Sequence, residues 1–196
     1  MPYKPYEWYN IPFFSKNMKE QMIKYQCLPE YIIENFNPKT VVDYGCGAGY
    51  LVKELNERGI DTIGFEGFEV ALEVIDEDIK DKVYIHNLLD GELIQYKKYD
   101  LCICTFVMEH IDRNLTDTLM KTMTNLSDTI LYSSAIGRHG HHHINCLRNK
   151  EILNKFDTYN YECDIKMTDE IRKYLYKQTE VKSYKNEFFI FRRKEE

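Results

Sequence analysis

The run Thr40-Val-Val-Asp-Tyr-Gly-Cys-Gly-Ala-Gly-Tyr50 constrains this chain more than any other stretch. It reads as a buried strand over Thr40 to Tyr44, a glycine-rich turn from Gly45 to Gly49, and the start of a helix. Val41 and Val42 are β-branched and suit a sheet interior. Gly45 and Gly47 admit positive φ and let a ligand approach the main chain. A helix that starts at Gly49 turns its free N–H groups towards such a ligand. Asp43 lies at the carboxyl end of the strand, where a carboxylate repels a pyrophosphate and attracts an ammonium or a sulfonium.

The glycine spacing separates two kinds of nucleotide ligand. A dinucleotide fingerprint is Gly-x-Gly-x-x-Gly, with the pyrophosphate on the helix N-terminus. Here the pattern is Asp43-x-Gly45-x-Gly47-x-Gly49. The third glycine comes one residue early, and an acid precedes the turn. Glu66 follows 21 residues after Gly45 and ends the run Thr62-Ile-Gly-Phe-Glu66. An acid at about that distance takes ribose hydroxyls. Together these residues resemble motif I and the acid that follows it in class I S-adenosylmethionine (SAM) dependent methyltransferases.

The resemblance covers roughly residues 36–193 and implies a fold and a cofactor. The fold is α/β and Rossmann-like: a seven-stranded, mostly parallel sheet with an antiparallel C-terminal hairpin and a helical N-terminal extension. The cofactor is SAM, with Asp43 near its α-ammonium, the glycine turn facing its amino-acid part and Glu66 on both ribose hydroxyls. Asn87 takes the place of the side chain that meets the adenine amino group, where Asp is commoner. Leu88 supplies a backbone N–H to the ring, and Asp90 is the fallback. The implied cofactor-binding set is Asp43, Gly45, Cys46, Gly47, Glu66, Gly67, Asn87, Leu88, Thr105 and Phe106.

Composition narrows the remaining classes. The 196 residues are 43% hydrophobic and 30% charged, which is ordinary globular usage and long enough for a real core. A net charge of −6 and a pI near 5.6 argue against broad, sequence-independent binding to nucleic acid. No apolar run reaches the ~18 residues of a membrane span, and Met1 to Trp8 lacks an apolar signal core. The expected location is the cytoplasm. The six cysteines form no Cys-x-x-Cys pair and suggest neither a zinc site nor a disulfide framework.

Along the chain, residues 1–35 are expected to form an aromatic arm and helix on the substrate side, and residues 36–196 the SAM-binding domain. Tyr3, Tyr6, Trp8, Tyr9, Phe13 and Phe14 make the arm too aromatic to float free in water; it either packs as core or covers the cofactor pocket. Residues 16–35 read helical, with Pro29 starting a second segment. Further strands are expected at Ile60–Phe65, Val83–His86, Tyr99–Thr105 and Thr129–Ser133, with helices at Tyr50–Arg58, Phe68–Ile75, Asp112–Leu126 and Lys150–Phe156. Gly59 caps the first of these helices. Glu180–Tyr184 and Phe188–Arg192 read as the closing antiparallel hairpin.

Chemistry in an open α/β sheet sits outside the carboxyl ends of the strands. Glu109-His110 falls after the fourth strand. It resembles the Glu-His pair of ubiquinone-type O-methyltransferases and small-RNA 2′-O-methyltransferases, some of which carry a metal-binding Glu-x-x-Glu-His motif. Phe106 stands where the first acid of that motif would be, so no residue is assigned as a metal ligand. After the fifth strand comes Gly137-Arg-His-Gly-His-His-His143-Ile-Asn145, with four histidines in five positions. Histidine is the natural general base near neutral pH. His143, with His141 or His142, is therefore a candidate to deprotonate or orient the acceptor, beside His110 and Glu109. A plain solvated loop is the competing reading.

The Thr105-Phe-Val-Met run lacks the Asn-Pro-Pro-Tyr pattern of amino-group methylation. The expected activity is methyl transfer from SAM to a small-molecule hydroxyl, a sugar-like one included. The rivals are metal-assisted ribose 2′-O-methylation of RNA and a non-catalytic SAM-binding regulator. A nicotinamide dehydrogenase is disfavoured by the glycine spacing. Neither the acceptor atom nor the oligomeric state is legible.

Overall fold

The glycine motif opens on β1 (Thr40–Tyr44), a strand buried from Val41 onward. The computed structural model describes residues 9–16, 25–95, 97–137 and 142–195, in two units, Met1–Asn87 and Leu88–Glu196. The first unit holds β1, β2 (Asp61–Glu66) and β3 (Val83–Ile85), all parallel in the order β3-β2-β1. The second holds β4 (Leu101–Thr105), β5 (Thr129–Ser133), β6 (Tyr161–Cys163) and β7 (Phe188–Arg193) in the order β4-β5-β7-β6. These are the seven strands of a mixed, mostly parallel sheet.

In the first unit α1 (Leu28–Phe36) begins with Pro29 in its first turn, as expected. Residues 11–16 are also helical, and Phe14 is buried. Residues 17–24 of the expected helical stretch, with Met18, Met22 and Ile23, lie outside the described residues, as do Tyr3, Tyr6 and Trp8. The helix α2 (Tyr50–Glu57) turns Leu51, Val52 and Leu55 inward, and Gly59 follows it at φ +83°. Its Val52 joins Cys46, Ile75, Ile79 and Val83 in one apolar cluster. The approach of α2 to β2 depends on Gly64. A Cβ there would lie 2.6 Å from Cys46 Sγ and 2.9 Å from Val52 Cγ2. Gly64→Ala is expected to cost about 1–3 kcal/mol by overpacking, read as a lower urea midpoint. An unchanged midpoint would mean that the helix shifts freely.

In the second unit β4 and β5 run parallel, and β7 pairs antiparallel with both β5 and β6. Leu101–Cys104, Ile130–Tyr132 and Phe188–Phe191 are all buried, as expected for strands covered on both faces. The helices α3 (Thr116–Leu126), α4 (Asn149–Thr158) and α5 (Ile165–Thr179) accompany them. Phe156 of α4 stacks on Phe191 at 3.6 Å between ring centroids.

The antiparallel C-terminal pair is present, but its first strand is not Glu180–Tyr184. Glu180 is the left-handed cap of α5 at φ +56°, and Tyr184–Glu187 is a helical turn. The partner of β7 is β6, which precedes α5 in the chain. Three-residue β6 is too short to show alternation. It is held instead by Tyr161, whose hydroxyl donates to the carbonyls of Ser127 at 2.5 Å and Thr124 at 3.1 Å. The expected helix at Phe68–Ile75 is a short 3₁₀ helix, Glu69–Glu73.

Candidate functional site

The first unit gathers a group at the carboxyl ends of β1 and β2. Gly45, Gly47 and Gly49 all have positive φ, at 80°, 58° and 76°. This is the region from which most side chains are barred. At Gly49 a Cβ would also meet Ile79 Cδ1 at 2.7 Å, so the third glycine is needed for packing as well as for conformation. The turn is tied to β2 by its backbone, with Gly45 N–H and Cys46 N–H donating to the Phe65 carbonyl at 2.7 and 3.0 Å.

Glu66 completes the tie. One carboxylate oxygen accepts Gly47 N–H at 2.9 Å, and the other accepts the N–H groups of Gly67 at 2.8 Å and Phe68 at 3.2 Å. A carboxylate carries about four acceptor positions, so capacity remains for a ligand hydroxyl. Burial raises the Glu66 pKa, and the three N–H groups oppose that rise. Sequence spacing places an acid at the strand end but carries no signal that it closes the glycine turn.

Asp43 is 3% exposed, and its Oδ1 has no hydrogen-bond partner among the described residues. Burial, with Glu66 adding to it, pushes the Asp43 pKa up to about 7. An unpartnered buried carboxylate oxygen is costly and fits a cationic ligand group. Because its pKa rises above the unfolded value, the group favours the fold most below pH 4. That contribution is lost as pH climbs towards 7. Cys46 is buried, which raises its thiol pKa well above the usual range. Tyr44, next along β1, shares a 2.8 Å hydrogen bond with His86 Nδ1. Half-buried Asn87 follows His86 and ends the first unit.

The second unit opens on Leu88, buried in a one-turn 3₁₀ helix. At the carboxyl end of β4, half-buried Thr105 precedes Phe106, which has φ +55°. That value is rare for a bulky residue and a form of strain that clusters at functional sites. Phe106 is held by its N–H donating to the Ser133 carbonyl at 2.9 Å and by ring contacts with Tyr184 and Phe188.

A 3₁₀ turn over Met108–His110 then presents Glu109 and His110. Glu109 is fully buried and accepts Ala135 N–H at 3.1 Å. Burial raises its pKa to about 7. The Glu109 carbonyl accepts the N–H groups of Ile144 at 2.8 Å and Asn145 at 3.2 Å. Asn145, itself buried, donates from Nδ2 to Thr116 Oγ1 at 2.9 Å. These bonds bring the end of the histidine loop back over Glu109. His143 thereby meets His110 edge to face, with ring centroids 5.0 Å apart.

Burial first, and then His143, lower the His110 pKa to about 4, so His110 is neutral at physiological pH. One ligand atom from each of Glu109, His110 and His143 lies within 4.8 Å of the others. The three candidates for catalysis are thus together. His142 has φ +63°, while His141 lies outside the described residues. The anchoring roles of Asn145 and the Ala135 N–H had no sequence signal beyond the loop itself.

Among the described residues no helix is long and apolar enough to cross a membrane. The methyltransferase-domain family matches residues 16–163. The ubiquinone biosynthesis O-methyltransferase of Nitrosomonas europaea is 29% identical over 93 residues, 41% of this chain. That match spans 36% of the relative's length. Two solved structures share the fold. The methyltransferase domain of bacterial CtHen1-C is 17% identical, with a TM-score of 0.60 over 91% of this chain and 100% of that one. The magnesium protoporphyrin IX methyltransferase of Synechocystis PCC 6803, solved with S-adenosylhomocysteine bound, is 15% identical, with a TM-score of 0.65 over 90% of this chain and 84% of that one. With a family match over most of its length, this chain belongs to the methyltransferase-domain family.

Proposed function

We propose that this protein transfers the methyl group of SAM to a hydroxyl of a small molecule, with His110 or His143 as the proton acceptor. The observation that carries the acceptor class is the Glu109–His110–His143 group. It pairs two imidazoles, one of them neutral, with a buried carboxyl group. The sulfonium of SAM already activates the methyl group. The protein need only align the acceptor, exclude water and remove the hydroxyl proton.

In this reading Asp43 receives the α-ammonium of SAM, Glu66 the ribose hydroxyls, and Asn87 and Leu88 the adenine. Gly45, Cys46, Gly47 and Gly67 provide close backbone, and Thr105 and Phe106 line the methyl-transfer side. Residues 1–35 serve as an arm on the substrate side. Tyr9 stacks on Phe68 at 4.2 Å, two residues beyond Glu66, which supports a covering role for the arm.

The test is calorimetric titration with SAM and S-adenosylhomocysteine on wild type, Asp43→Asn and Tyr9→Ala. Ionised Asp43 attracts the ammonium, and its pKa is about 7. Wild-type affinity should therefore rise about tenfold from pH 5.5 to pH 7. Asp43→Asn should flatten that slope, and Tyr9→Ala should speed dissociation. A flat wild-type profile, or tight binding that survives Asp43→Asn unchanged, would remove Asp43 from the cofactor site.

One observation favours a second reading. Glu109, His110 and His143 present three nitrogen or oxygen donors to a common point, a set that suits a divalent cation with open positions. That donor set makes metal-assisted ribose 2′-O-methylation of RNA the alternative. Such a cation would supply Lewis-acid activation of the hydroxyl. Activity abolished by chelator and restored by Mg²⁺ or Mn²⁺ selects this reading; chelator-insensitive turnover selects the first.

A further inference from the structure

A cavity of about 470 Å³ in the second unit is lined by Ile136, Arg148, Asn149, Ser183, Asn186 and Glu187. We propose that it is the binding site for the body of the acceptor and that it selects a neutral polyhydroxylated molecule over an ion of either sign. The inference deepens the hydroxyl-methyltransferase reading and rests on it.

The position comes first. Ile136 belongs to the loop that leaves β5. The residue before it, Ala135, donates its N–H to Glu109. The cavity therefore lies one residue along the chain from the group that holds the candidate bases. Its rim is built from backbone bonds: Gly137 N–H to the Leu147 carbonyl and Ser134 N–H to the Glu187 carbonyl, both at 3.3 Å. Arg172 fastens the opposite wall, donating to the Phe188 carbonyl at 2.7 Å and the Asn186 carbonyl at 3.3 Å. Tyr184, within the same wall segment, packs on strained Phe106. The volume suits a small ligand.

The lining chemistry sets the ligand class. Arg148, exposed at the rim and close enough to Glu151 to lower its pKa, is a donor with no acceptor capacity. Glu187 is buried and brings a carboxylate to the same cavity. Asn149 Oδ1 is buried and, among the described residues, accepts no hydrogen bond. Ser183 and Asn186 add groups that can both donate and accept. An anion entering this cavity meets the Glu187 carboxylate, and a cation meets Arg148. A hydroxyl both donates and accepts. A polyol can therefore donate to Asn149 Oδ1 and Glu187 inside and accept from exposed Arg148 at the rim without bringing like charges together.

The test is calorimetry on the full chain, with and without saturating S-adenosylhomocysteine. Probes are glucose and myo-inositol as neutral polyols, lactate as an anion, and serine as a zwitterion. The expected result is saturable binding of at least one polyol in the millimolar range, about tenfold weaker in each of Arg148→Met and Asn149→Ala. S-adenosylhomocysteine affinity should be unchanged in both variants.

Three results overturn the proposal: no polyol binding up to about 50 mM, polyol binding that both variants leave intact, or lactate or serine binding more tightly than either polyol. The cofactor titration keeps the two readings apart. S-adenosylhomocysteine binding without polyol binding sinks only the cavity assignment. Polyol binding lost in the variants, in a protein that binds no S-adenosylhomocysteine, sinks the methyl-transfer reading and leaves the cavity standing.

Discussion

Glu66→Ala is expected to unfold about 2–4 kcal/mol more easily than wild type and to bind SAM at least about a hundredfold more weakly. The two effects share one cause. Glu66 accepts three backbone N–H groups, from Gly47, Gly67 and Phe68. Truncation leaves all three donors without that partner at a turn whose glycines already sit at positive φ. The same truncation removes the acceptors proposed for the ribose hydroxyls.

Glu66→Gln separates the roles. It keeps the volume but replaces one acceptor oxygen by an NH₂ group, so either Gly47 or the Gly67–Phe68 pair faces a donor. Its stability loss should be smaller than that of the alanine variant, while its SAM affinity still falls. Urea denaturation and calorimetric titration read the two effects separately. An Ala variant with wild-type midpoint and wild-type affinity would show that the clamp is incidental.

The second large effect is catalytic. His110→Ala and His143→Ala should each slow turnover by about 10²–10⁴-fold while SAM affinity stays within about twofold. His110 is held neutral by burial and by His143, with a pKa near 4. It is ready to accept a proton throughout the neutral range, so its own titration should lower the rate only below about pH 5. The readout is conversion of SAM to S-adenosylhomocysteine with a hydroxyl acceptor found in the polyol screen. Thermal melts guard against simple unfolding of the His110 variant. Intact turnover in both variants, with SAM still bound, would end the general-base reading. Loss in both, together with chelator sensitivity, would move these histidines to the role of metal ligands.

Local sequence carried the first unit well. The glycine spacing, the preceding acid and Glu66 were legible because strand, turn and helix start lie within one short run. The β-branched pair Val41-Val42 and the φ-permissive glycines leave little conformational choice there. The buried β4 and β5 were legible for a similar reason, as unbroken apolar runs. The C-terminal pairing was misplaced at its first strand. Glu180–Tyr184 carries an apolar and polar mix like that of a strand, but α5 ends there in a left-handed cap, and three-residue β6 takes the place beside β7.

By itself the sequence determined the family, the glycine-rich turn after β1 and the candidate catalytic side chains Glu109, His110 and His143, since each rests on residue type and short spacing. Tertiary structure alone decided how those groups are set. Asp43 and Glu109 are pushed up to about pH 7 by burial that depends on strands distant in the chain. His143 reaches His110 because Glu109 and Thr116 anchor Asn145 across a gap of 29 residues or more. A side chain's chemistry is written in its residue type, but its pKa and its partners are fixed by the desolvation and the long-range hydrogen bonds that only the folded chain creates.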